Sequence, residues 1–179
     1  MSNQFIGNYS PDDFTIVLSK GDFVHKITGF ADGTFIGMER VVPTSEPYQG
    51  VGDDNVFART KRKVTAMNVT ISLHQASPSN YVLQKLQQAD AADPMSNEWV
   101  FNCTIKDLSG QTVMSTANAI IMAPPSVNYS TTIETRDWGI FMFGSDLTIG
   151  GNMPLSEQEV SAVEALGYTV EERWKATNN

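Results

Sequence analysis

Positive charge is scarce in this chain: 12 lysines and arginines stand against 20 aspartates and glutamates, a net charge of −8. So acidic a protein is poorly suited to gripping nucleic acid, because phosphate binding needs clustered cations. Cysteine is nearly absent. The single Cys103 excludes an internal disulfide and fits a reducing compartment. It lies in phase with Trp99, Phe101 and Ile105, which predicts a small core residue rather than a reactive thiol. No apolar run approaches the length of a membrane span. Met1-Ser2-Asn3-Gln4 lacks the basic start and apolar stretch of a secretory signal, so neither membrane nor export is expected. Internal repeats and low-complexity tracts are missing as well.

Catalytic signals are equally thin. The two histidines, His25 and His74, fall on separate strands, and nothing near Cys103 resembles a nucleophile elbow. Gly144, Gly150 and Gly151 sit at strand ends, not in a phosphate-cradling motif. Gly50-Val51-Gly52-Asp53-Asp54-Asn55 lacks the spaced oxygen ligands and closing Glu of a calcium loop. Neither an enzyme nor a cofactor or metal site is expected.

What is present is mainly β-strand patterning, over 179 residues that are 41% apolar and 18% charged. That length can bury a genuine core. In Thr65–Leu73, Met67, Val69, Ile71 and Leu73 point one way, while Ala66, Asn68, Thr70 and Ser72 point the other. With His74 also on it, the second face is mostly small and uncharged, more like a packing surface than a solvated one, and this suggests assembly. Phe14–Ser19, Phe23–Thr28 and Thr34–Val42 read as a three-strand meander, turning at Lys20-Gly21-Asp22 and Ala31-Asp32-Gly33. Further strands are predicted at Trp99–Lys106, Thr112–Met122 and Arg136–Ile149.

One helix is predicted from Ser77 to Asp90, capped by Ser77 with Pro78 at its first position. Val82, Leu83, Leu86 and Ala89 form its apolar stripe. A C-terminal helix opens on a capping box of Ser156 and Glu159 and closes at Gly167. Tyr168–Trp174 alternates once more as an extended segment.

Pro43–Asp54 breaks the pattern and reads as a long protruding loop that reaches another subunit. It runs into Arg59-Thr60-Lys61-Arg62-Lys63, which holds four of the chain's twelve cations. No aromatic residues are interleaved there to stack on bases. The expected partners are acids of another subunit, with Glu46, Asp53 and Asp54 as the complement. The inter-subunit set is therefore Glu46, Tyr48, Asp53, Asp54, Phe57, Arg59, Lys61, Arg62 and Lys63.

Several segments taken in order resemble the tail tube proteins of contractile-tailed bacteriophages. They are Tyr9-Ser10-Pro11-Asp12-Asp13, Ile27-Thr28-Gly29-Phe30-Ala31-Asp32-Gly33-Thr34-Phe35-Ile36, Val69–Leu73 with Gln75-Ala76-Ser77-Pro78-Ser79-Asn80, and Leu147–Asn152. The stretch Gly50–Arg59 departs from that pattern. The resemblance implies one domain over 1–179, an antiparallel β-sandwich or barrel with a flanking helix and a C-terminal helix and tail at 153–179. Residues 43–58 would be the inter-subunit loop.

The resemblance further implies hexameric rings that stack into a hollow tube, as in the type VI secretion inner tube. The partners would be sheath, baseplate hub and tail terminator proteins. Double-stranded DNA would pass through without specific binding, in a virion tail assembled in the host cytoplasm. An acidic, cation-poor lumen suits such a conduit. The competing reading is an acidic monomeric β-barrel that binds a ligand or peptide in a concave pocket. A hydrolase would need His25 or His74 to converge on Cys103 or a carboxylate.

Overall fold

The computed structural model describes residues 6–49, 57–95 and 97–176. It is a mainly antiparallel β protein with two helices. The strands are β1 (Phe14–Lys20), β2 (Phe23–Lys26), β3 (Ile36–Arg40), β4 (Ser45–Gln49), β5 (Phe57–Lys61) and β6 (Met67–His74). After helix α1 (Ser79–Ala92) come β7 (Phe101–Asp107), β8 (Val113–Ala123), β9 (Thr135–Phe143) and β10 (Asp146–Thr148), and then helix α2 (Glu157–Ala165). The main sheet runs in the order β2-β1-β7-β8-β9-β6-β3, with β10 on β8, while β4 and β5 form a separate pair.

The chain forms two compact units. The larger comprises residues 16–105 and 114–146. In its strands the side chains alternate between a buried and an open face. Ile16, Leu18, Val69, Ile71, Leu73, Cys103, Trp138 and Ile140 are buried. Leu83 and Leu86 of α1 are buried too, and the Trp138 indole N–H donates to Asn80 Oδ1 at 2.9 Å.

The expected meander is corrected. β2 pairs with β1, but β3 pairs with β6 along Ile36↔Ile71 to Arg40↔Met67, so 31–33 is a bend within a crossing and not a hairpin. The crossing curls the sheet. The Ile27 N–H donates to the Ile16 carbonyl, and the His74 N–H donates to the Gly29 carbonyl. Two residues of chain therefore bridge β1 and β6, which lie four places apart in the strand order. Gly29 makes this possible, with φ +72° and a position where a Cβ would lie 2.6 Å from that of Ser77. The sheet is thereby tied at one corner by 27–31.

Two other expectations change. The strand expected over Arg136–Ile149 is two strands, divided at Gly144, whose φ is +55°. β8 loses phase near Ala117 and Asn118, where the Thr116 hydroxyl donates to the Phe143 carbonyl and accepts the Asn118 N–H. The register shift in the β8–β9 ladder comes further along, between Ile121 and Ala123.

The smaller unit comprises residues 6–15, 106–113 and 147–176 within the described range. Its centre is a polar knot. Asp107 accepts from the Ser109 N–H and hydroxyl at 2.9 and 2.6 Å, and the Asn152 amide reaches the Ser109 carbonyl at 2.9 Å. Helix α2 has the expected capping box at Ser156 and Glu159, and it buries none of its residues. The extended segment expected at Tyr168–Trp174 contains instead a 3-10 turn at Glu172–Trp174.

Candidate assembly surfaces

The loop expected over Pro43–Asp54 lies outside the described residues from 50 onward, and its described part, 43–49, is corrected to one side of a β arm. β4 and β5 pair from Ser45↔Lys61 to Gln49↔Phe57. The arm continues the β3–β6 ladder: the Val41 N–H donates to the Ala66 carbonyl, and the Arg62 N–H donates to the Thr44 carbonyl. Four residues lie between Arg40 and Ser45 on one strand and five between Lys61 and Met67 on the other. The pairing resumes after a one-residue slip. A strand pair at the sheet edge thus runs on past the core.

Opposed residues on antiparallel strands share a face. Glu46, Tyr48 and Thr60 therefore lie on one side of the arm, and Ser45, Pro47, Arg59 and Lys61 on the other. Tyr48 is 62% exposed. Glu46, expected to meet cations of another subunit, accepts from Arg62 of its own arm at 2.8 Å. Arg59, Lys61 and Lys63 are exposed and form no ion pair among the described residues. Asp53 and Asp54 lie outside the described residues, as does the side chain of Phe57.

The second surface is the pair of sheet edges, β2 and β3. Hydrogen-bonded and non-bonded pairs alternate along an antiparallel ladder. Because Ile27 bonds to Ile16, the backbone groups of Val24 and Lys26 turn away from β1. Because Val41 bonds to Ala66 and Ser72 to Phe35, those of Ile36, Met38 and Arg40 turn away from β6. Among the described residues no strand covers either row. Between these edges the open face of the sheet carries Asn68, Thr70, Asn102 and Thr104, all exposed and uncharged.

Of the residues of the hydrolase reading, His74 meets a carboxylate, that of fully exposed Asp32, but among the described residues no contact joins either histidine to Cys103. Cys103 is fully buried, and that burial pushes its thiol up to about 12. His25 Nε2 lies 3.0 Å from the Ser79 hydroxyl, and burial holds its imidazole below the ordinary value of 6.5. His74 faces Asp32 at 3.9 Å.

Sequence reasoning missed a third surface, the connection 124–134 between β8 and β9. It exposes Val127, Tyr129 and Ile133. Arg136 holds it in place from a buried position, donating to the carbonyls of Thr135 and Asn128 at 3.0 and 3.1 Å, with its guanidinium 5.4 Å from the Tyr129 ring centroid. The signal available was an arginine in the inward phase of a strand, two residues before Trp138.

The chain is 33% identical over 168 residues to structural protein ORF10 of Pseudomonas phage KPP10, covering 93% of this chain and 95% of that protein. No family model matches it. Among solved structures, the tube-terminating cap of the anti-feeding prophage aligns over 83% of this chain and 94% of its own, at 11% identity and TM-score 0.48. The sheath/tube terminator of the PVC extracellular contractile injection system aligns over 79% and 97%, at 10% identity and TM-score 0.48.

Proposed function

The chain belongs to the family of the phage structural protein ORF10, is not an enzyme, and, we propose, builds the tail tube as its repeating subunit. In this reading residues 1–179 act as one subunit, six subunits close a ring, and rings stack around a lumen through which DNA passes. The single observation that carries it is the sheet with two uncovered edges. Exposed edges are a liability in a monomer, and a closed ring of sheets removes them. Edge pairing around a ring is heterologous and closes; stacking is heterologous and does not, so it yields a filament.

The open face, where uncharged Asn68, Thr70, Asn102 and Thr104 lie beside acidic Glu39 and Asp137, suits a lumen wall that does not hold phosphates. Residues 43–58 and the basic flank meet an adjacent protomer through Glu46, Tyr48, Asp53, Asp54, Phe57, Arg59, Lys61, Arg62 and Lys63. The cations among them do not form a free ring in the channel, where they would retard DNA. Sheath meets the outer side of α1, with baseplate hub and tail terminator at the tube's ends, in a virion tail assembled in the host cytoplasm.

Electron microscopy of the purified protein at high concentration, with antibody labelling of sheath-stripped tails, tests this reading. Six-fold rings or hollow tubes, and label along the whole tube, are expected. Val24→Pro, which blocks an outward backbone donor without touching the β1 ladder, should leave the fold intact and stop ring closure. Label confined to one end of the tail, or rings that still form in Val24→Pro, would overturn the reading.

A further inference from the structure

We infer that the open groove beside β8 and β9 is the seat for the basic face of the arm of a second copy of this chain, a contact that rests on the proposed reading as a stacking subunit. The groove has a volume of about 400 Å³, with Met122, Pro124 and Pro125 as its apolar side and Glu134 and Asp137 as its charged groups. Gly139 lines it beside Met122, whose methyl would lie 3.0 Å from a Cβ at that position. Asp137 is exposed and, among the described residues, accepts only from the Ser72 hydroxyl, at 2.7 Å. Neither carboxylate forms an ion pair among the described residues. The cation between them in sequence, Arg136, is turned inward onto carbonyl groups and leaves them unneutralised.

The arm offers the complement. Arg59 and Lys61 share one face, both exposed and unpaired, flanked by Ser45 and Pro47. Lysine and arginine carry apolar stems below their charged heads, which matches a groove with an apolar side and an acidic rim.

Topology excludes the same-chain contact. Asp137 lies opposite Ser72, near one end of β6, whereas the arm leaves beyond Met67 at the other. Those five residues of strand alone span about 17 Å, and the arm points onward from there. An arm that reaches this groove comes from a copy displaced along the strand direction. Repeated between copies that keep one orientation, such a contact is heterologous and propagates as a filament. Each exposed pair alters association only a few-fold and is weakened by salt. Repetition around a ring multiplies the effect.

The test is a charge swap in the full chain, with circular dichroism melts to show that each variant folds. Arg59→Glu with Lys61→Glu, and separately Glu134→Lys with Asp137→Lys, should each raise the concentration needed for tube formation by about tenfold. All four together should return it to within about threefold of the unmodified protein. A second readout needs no tubes of altered charge. Protein carrying Lys61→Cys is mixed with protein carrying Asp137→Cys, and a short bismaleimide should join the two different copies; the buried Cys103 does not compete. Tubes that form normally with the groove pair reversed, a quadruple variant without recovery, or no hetero-cross-link would overturn this contact while leaving the tube reading standing. A protein that forms neither tubes nor cross-links and labels only one end of the tail overturns both.

Discussion

The β3–β6 pair and the β4–β5 arm lie along one interrupted ladder, yet they treat their side chains in opposite ways. Along β6, Val69, Ile71 and Leu73 are fully buried. Along the arm, Ala58, Arg59, Thr60 and Lys61 are exposed on both faces. Buried apolar area contributes roughly 25 cal/mol per Å², so the sheet half is held by the core beneath it. The arm has its ladder bonds and one exposed ion pair, and an isolated two-stranded hairpin is marginal in water. The same backbone pattern is thus self-sufficient where it crosses the core and unfinished where it leaves it. An unfinished element kept at a sheet edge is what a polymerising protein needs and a monomer does not.

The sharpest way to break this contrast is to damage the core half. Trp138→Ala removes a buried indole and leaves Asn80 Oδ1 without that donor, and should cost about 3–5 kcal/mol in denaturant unfolding. A loss below about 1 kcal/mol would mean that the sheet does not carry the fold. Ser79→Ala should come next. The fully buried Ser79 hydroxyl accepts the Thr28 N–H at 3.0 Å, so its removal leaves a backbone donor unpaired, at about 1–3 kcal/mol.

How far these features could be read from sequence follows the same division. The alternation of Met67–Leu73, the turn at Gly21 and the capping box at Ser156 were all legible, because each rests on neighbours within a few residues. The partner of β3 was not. Phe23–Lys26 and Ile36–Arg40 look like hairpin mates until Gly29 routes the chain over Ser77 to the far edge of the sheet, and that is a tertiary fact. The arm was readable as a projection but not as strands. Its pairing follows on from β3 and β6 after the one-residue slip, and Ser45-Glu46-Pro47-Tyr48 buries no alternating face that would reveal it. The acidic groove had no sequence signal at all, since Met122 and Asp137 meet only through the β8–β9 pairing.

A weaker probe lies on the edge strand β2. Burial lowers the pKa of His25, so between its folded value and the ordinary 6.5 the folded chain holds fewer protons than the unfolded one. Stability contributed by neutral His25 is therefore present above pH about 6.5, falls as the pH drops through that value, and stops falling below the folded pKa. The midpoint of thermal unfolding should decline between about pH 7.5 and 5, and His25→Gln should flatten part of that slope. An unchanged slope would assign the decline to other groups.

The smallest effect is expected in the arm, and it discriminates most finely. Arg62→Ala removes the pair with Glu46, whose side chains are 45% and 42% exposed, and should cost no more than about 1 kcal/mol. The loss should stay local. Amides of residues 45–49 and 57–61 should exchange faster with solvent, while those of β6 and the denaturant midpoint stay where they were. High salt should reproduce the same acceleration in the unmodified protein, because screening acts on an exposed pair. If Arg62→Ala instead lowered global stability as much as Ser79→Ala, the arm would belong to the cooperative core. It would then have no need of a neighbour to complete it, and the contrast between the two halves of this ladder would fail.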